Sequence, residues 1–291
     1  MSKKIRIFRN DLKYKKYRNI NYDILDDESK KMYDEDYEMS DSIEYRMSEF
    51  NQQKCYLDLN YMELSEIPLL ENNITHLSIS GNKLKNILDI SNLTNLKYFD
   101  CSHNQIKELK LPLNLVELSC SNNKFENLDF LTKNNYDKLE YLNCSNNKIE
   151  KIENLKCNNL KYLECENNNI TNIQKFDKLI ELDCKNNKLK KLNSYPKLKY
   201  LLCEYNYITE INDYPCLYDL CCAYNSINKI SNIPKIKFIN CIYNTKELHL
   251  PYFEKLIELN CDVNINISTQ YKILVVDKYK KICANLVFEC V

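Results

Sequence analysis

The side chains best equipped for chemistry in this sequence are fifteen cysteines, three histidines and 41 carboxylates. Nine of the cysteines recur at one regular place: Cys101, Cys120, Cys144, Cys165, Cys184, Cys203, Cys222, Cys241 and Cys261. Thiols ligate metals, pair as disulfides, sense oxidants and act as nucleophiles. Zinc needs four ligands converging on a point, and a one-dimensional row does not converge. A disulfide needs Cβ atoms about 3.8 Å apart and suitably turned, whereas equivalent side chains of neighbouring parallel strands point the same way about 4.8 Å apart. Free cysteine is among the most buried residue types, so the expectation is a stack of small buried hydrophobes with reduced thiols, no metal and no cofactor. Cys216, Cys221 and Cys222 cluster locally, but Cys221 and Cys222 alternate across a strand. Cys221 should face solvent, where nearby acids such as Asp219 raise its pKa and dull it as a nucleophile. His76 and His103 also fall on a solvent-facing surface, with Asp100 near His103, a pairing read as incidental. A single glycine, Gly81, leaves no room for a phosphate loop. The residues therefore argue against an enzyme, one using Cys221 being the least favoured alternative.

The element that spaces these cysteines is a repeat. LEYLNCSNNKIEKI from 139 aligns with LKYLECENNNITNI from 160, LIELDCKNNKLKKL from 179, LKYLLCEYNYITEI from 198 and LYDLCCAYNSINKI from 217. LKYFDCSHNQIKEL from 96 and LVELSCSNNKFENL from 115 obey the same pattern, L-x-x-L-x-C-x-x-N-x-I/L-x-x-I/L. The asparagine falls at 82, 104, 123, 147, 168, 187, 206, 225, 244 and 264, with spacings of 19 to 24 residues. A fixed period of this length means a solenoid. In L-x-C the alternation puts Leu and Cys on the inward face of a short strand. The asparagine is expected to form an internal ladder, its amide bonding backbone groups of the turn and the next coil. With almost no glycine, asparagine must also take the left-handed turn positions.

The pattern resembles the leucine-rich-repeat family, with Cys where the last strand leucine usually stands, over about 215 residues. The resemblance implies a leucine-rich-repeat solenoid with a parallel β-sheet on the concave face, a 3₁₀ or extended convex side and few α-helices. The short coils, with Ile-Pro near 67 and LPLNL near 111, are also similar to bacterial-effector repeats. About eleven coils are expected over residues 51–268. A charged arm precedes them at 1–50, with a short capping helix expected over 42–53, and a C-terminal cap is expected at 269–291.

If Leu and Cys point inward, four positions per coil point outward: the residue before the second Leu, the one between Leu and Cys, and the two after Cys. Of these 44 positions eleven are acidic and only Lys185 is Lys or Arg, where 41 of each sign among 291 residues would put about six of each. Glu164, Glu166, Glu181, Asp183, Glu204 and Asp219 form the central acidic run. Aromatic and aliphatic residues share the surface around coils eight to ten: Tyr200, Leu202, Tyr205, Tyr224, Phe238, Ile242 and Tyr243, with Cys221 and Ala223 beside them. Such faces are the usual binding surfaces of solenoids. The expected function is a non-enzymatic interaction scaffold for a basic or amphipathic protein or peptide with an apolar anchor. A structural protein without a dedicated ligand is the alternative. Phosphate backbones need Lys or Arg, so nucleic acid is not expected on this face, and the zero net charge argues against a general nucleic-acid binder. No apolar run is long enough to span a membrane or to serve as an export signal, which gives an expected cytoplasmic location, in a host cell if the protein is viral or an effector.

Overall fold

The computed structural model describes residues 55–245 and 248–261, with the backbone of three short strands beyond them, Asn266–Ile267, Leu274–Val275 and Lys281–Cys283. The expected arm and its capping helix lie outside the described residues, as does all of 269–291 except the last two of these strands. Eleven three-residue strands stack in parallel, one per coil: Tyr56–Asp58, His76–Ser78, Tyr98–Asp100, Glu117–Ser119, Tyr141–Asn143, Tyr162–Glu164, Glu181–Asp183, Tyr200–Leu202, Asp219–Cys221, Phe238–Asn240 and Glu258–Asn260. They are numbered here as coils 1 to 11. Lys281–Cys283 closes the sheet antiparallel to coil 11, and Leu274–Val275 pairs antiparallel with it in turn.

The strands are three residues long because the inward requirement is that short. The central residue of each coil-forming strand, such as Leu163, Leu182 and Leu201, is buried, and so is the residue that follows the strand, Leu59 in coil 1, Ile79 in coil 2 and cysteine in coils 3 to 11. All nine ladder cysteines are at most 1% exposed. The return side is built from short pieces: parallel strand pairs such as Lys85–Asp89 with Gln105–Lys110, a four-stranded ribbon from Glu210–Asn212 to Asn266–Ile267, and a 3₁₀ turn, Asp129–Leu131. That turn falls in the longest coil. There the extra residues bury Phe130 and Tyr136. Coils of 19 residues hold no convex α-helix, and none occurs among the described residues.

The asparagine ladder holds the coils together. Asn187 is typical: its Nδ2 donates to the carbonyls of Cys184 and Lys185 in its own turn and of Cys165 in the preceding coil, at 3.0–3.1 Å, while its Oδ1 accepts the Ile170 N–H at 2.9 Å. Asn206 and Asn225 repeat the arrangement. The bonds thus run back to the preceding coil, whereas the sequence reading placed them to the next one. The geometric reason is that the asparagine lies past the strand, directly over the backbone already laid down. A buried polar group left unpaired costs about 1–3 kcal/mol, so each asparagine prevents several such losses at once.

Candidate binding face of the sheet

The strand register sorts the outward residues into columns. The first strand residue of coils 7 to 11 gives one row, Glu181, Tyr200, Asp219, Phe238 and Glu258, each paired with the next. The third strand residue gives a second row that includes Glu164, Asp183, Leu202 and Cys221. The residues after each cysteine give two more, one with Glu166, Lys185, Glu204, Ala223 and Ile242, the other with Tyr205, Tyr224 and Tyr243. All thirteen residues singled out from the sequence therefore lie on one side of the sheet, across coils 6 to 10. Tyr205, Tyr224 and Tyr243 are exposed, as is Tyr200, while Glu164, Glu166, Glu181, Leu202, Glu204, Asp219, Phe238 and Ile242 are half-buried. Asp183 and Ala223 differ from the expectation: both are 3% exposed. They sit low between longer side chains of neighbouring coils, and small or short groups in such a packed row have no reach to solvent.

The one base on this face explains part of its acidity. Lys185 Nζ lies 3.2 Å from Glu166 Oε2 and 3.3 Å from Asp183 Oδ2. Burial works to lower its pKa, but Asp183, Glu166 and Glu204 outweigh that and raise it. Cys221 stands beside the same acids. Burial, then Glu204 and Asp219, push its thiol up to about 12, so at neutral pH it is protonated and a poor nucleophile. Burial is also the main cause that raises the ladder thiols of Cys101, Cys120, Cys144, Cys165, Cys203 and Cys222, that of Cys144 to about 12. Among the described residues none of the thirteen cysteines forms a disulfide, and no group of three or more His, Cys, Asp or Glu converges as a metal site. His76 and His103 are not brought together as an acid–base pair. His76 stacks on Tyr98 with centroids 4.2 Å apart, and burial, helped by Lys97, lowers its pKa. His103 instead occupies a turn position two residues past Cys101, with φ of 53°.

That turn position varies from coil to coil, and in coil 1 it holds Tyr61 with φ of 57°. Asn122, Asn146, Asn167 and Asn186 occupy it with φ of 50–55°, the left-handed region that asparagine tolerates. In coils 8 to 10 the same position holds Tyr205, Tyr224 and Tyr243, again with φ of 54–55°. A bulky residue there costs on the order of 1 kcal/mol or more. The three rings stack, with centroids 4.3 and 4.4 Å apart. Gly81 fills the position in coil 2, where the ring of Tyr61 covers its α-carbon so closely that a Cβ would lie 2.3 Å from Cδ1. Two aromatics were missed from the sequence. Tyr218 stands just outside the first row, 6.1 Å from Tyr200 and 5.5 Å from Phe238, with Lys237 Nζ 4.9 Å over its ring. Tyr207 is 58% exposed beyond the tyrosine stack. Neither occupies a regular outward position of the motif. The only sequence signal for them was the abundance of tyrosine in coils 8 and 9.

Comparison with known proteins accords with this geometry. The family model for Leucine Rich repeats (2 copies) matches residues 113–157 and 137–178. The functional domain of InlJ from Listeria monocytogenes, described as including a cysteine ladder, is similar at 32% identity and a TM-score of 0.56, over 65% of this chain and 44% of that one. Residues 113–178 of this chain carry leucine-rich repeats, and its fold is that of a leucine-rich-repeat solenoid. It spans less than half of the InlJ chain. The leucine-rich-repeat domain of APL1B matches at 18% identity with a TM-score of 0.57, over 78% of this chain and 76% of that one. FLRT2, in a complex with Latrophilin 3 and Unc5D, matches at 17% and 0.50, over 72% of this chain and 88% of that one. These two share the fold. A search of curated proteins finds no match. Leucine-rich-repeat solenoids are in general protein–protein interaction scaffolds. Among the described residues no helix is long and apolar enough to cross a membrane.

Proposed function

We propose that this leucine-rich-repeat protein is a non-enzymatic scaffold that binds a basic or amphipathic protein partner through the face of its sheet, centred on coils 8 to 10. The observation that carries the reading is the exposed tyrosine stack. Three successive coils place tyrosine in a left-handed conformation that asparagine fills in the four coils before them, and strain kept at an exposed surface points to function. Aromatic side chains are the commonest anchors of interfaces. The acids across the same face, set against one lysine, favour a basic partner and disfavour phosphate backbones. The absence of disulfides among the described cysteines suits a reducing compartment such as the cytoplasm, of a host cell if the protein is viral or an effector. The test is affinity capture with the full chain beside a Tyr205→Asn, Tyr224→Asn, Tyr243→Asn variant, both checked for an unchanged melting temperature. A stoichiometric partner held by the wild type and released by the variant supports the reading. Equal capture by both places the binding surface elsewhere.

A further inference from the structure

The first row of the sheet alternates acid and aromatic over its last five coils: Glu181, Tyr200, Asp219, Phe238, Glu258. Each aromatic is thereby flanked on both sides by carboxylates on adjacent strands, about 4.8 Å away along the solenoid axis. A cation over an aromatic face is attracted by the ring quadrupole, and a planar guanidinium there can also donate to carboxylates on either side. The Phe238 position is concave as well. Asp219, Cys221, Phe238, Asn240, Glu258 and Asn260 line a depression of about 250 Å³. The side-chain oxygen of Asn240, one of these lining residues, is buried without a hydrogen-bond partner. It stands between Cys221 and Asn260, in the row beside the one that holds Asp219 and Glu258, and an unsatisfied acceptor there calls for a donor, of which an N–H-rich cation supplies several. Lys237 Nζ already lies over the neighbouring Tyr218 ring, 4.9 Å from its centroid, a cation on an aromatic of the same cluster.

We propose that this row forms two cation seats, Tyr200 between Glu181 and Asp219 and Phe238 between Asp219 and Glu258, which take two arginine side chains of one extended basic segment of a partner protein. The inference rests on the scaffold reading above and names its ligand. The seats are two coils apart, about 9.6 Å. A polyproline II segment repeats its face every three residues, about 9.3 Å, so arginines at i and i+3 match, whereas i and i+2 in an extended strand fall about 6.6 Å apart and on the wrong pitch. Asp219 belongs to both seats.

The test is fluorescence anisotropy of labelled proline-rich peptides with the full chain. The peptides carry arginine pairs at i,i+3 or i,i+2, or a single arginine, at equal net charge made up with distant lysines. The i,i+3 peptide should bind at least tenfold more tightly than either other, and added salt should weaken it. Asp219→Asn should cost more affinity than Glu181→Gln or Glu258→Gln, because it removes a carboxylate from both seats, while Glu150→Gln on the return side should change nothing. Equal affinity for all three peptides, or an Asp219→Asn loss no greater than that of Glu181→Gln, overturns the seats. If binding then still falls in the Tyr205, Tyr224, Tyr243 triple variant, the scaffold reading stands without them. If no face variant alters binding, both readings fail. Should Asp219→Asn melt early, Phe238→Leu, expected to lose the i,i+3 preference and keep single-arginine affinity, decides in its place.

Discussion

Coils 4 to 7 and coils 8 to 10 share one interior and present two surfaces. Both carry the same buried cysteine and the same asparagine bonds to the preceding coil. They differ two residues past the cysteine, where Asn122, Asn146, Asn167 and Asn186 give way to Tyr205, Tyr224 and Tyr243 at the same φ. Packing does not require the change, since the interior is constant across it. The repeat therefore supplies a frame of fixed geometry, and the exposed columns are free to vary over it. In the earlier coils the variable columns gather an ion cluster around Lys185, and in the later ones they gather aromatics.

If the frame is common to both regions, whatever breaks it should break both together, and the largest effect is expected from alkali. The Cys144 thiol is raised by burial from 9.0 to about 12, and its neighbours Cys120 and Cys165 are raised as well. The folded state keeps these protons while the unfolded chain loses them. Stability is then intact below pH 9 and falls above it, by about 1.4 kcal/mol per pH unit for each thiol, until the folded value is passed. Circular dichroism should show one cooperative loss of structure within about two pH units above 9. Separate transitions for the two regions would contradict a shared frame. Next in size, Asn187→Ala and Asn225→Ala each strand several buried backbone groups and should each cost about 3 kcal/mol or more in urea unfolding. A much smaller loss at Asn225 would mean that the aromatic coils are held by their surface.

The surface difference is tested by exchange. Asn146→Tyr places a ring in the left-handed turn with no stacked tyrosine on either side, and should destabilise by about 1–2 kcal/mol. Tyr224→Asn removes that strain together with two ring contacts, and should change stability by less than about 1 kcal/mol in either direction. If Tyr224→Asn instead costs several kcal/mol, the stack is structural and the contrast between the regions loses its functional meaning.

Much of the frame was legible in the residues. The Leu-x-Cys alternation placed Leu182 and Cys184 inside, and the recurring asparagine predicted its own ladder. The face was legible column by column, because period-two alternation leaves no choice about which residues look outward. What the sequence missed depended on depth and neighbours. Asp183 points outward as expected but sits under Lys185 and Glu166. Tyr218 lies off the motif and reaches the aromatic row only because coils 8 to 10 bring Tyr200 and Phe238 to either side of it.

The sequence by itself determined the coil, its period, its interior and the sign of charge on its face, since these follow from local alternation and from the few residues that fit a left-handed turn. Only the tertiary structure decided which side chains meet across coils. Strand register, set by backbone pairing between segments 19 or more residues apart, put Glu181, Tyr200, Asp219, Phe238 and Glu258 into one alternating row and left Asn240, in the row beside it, with a buried acceptor.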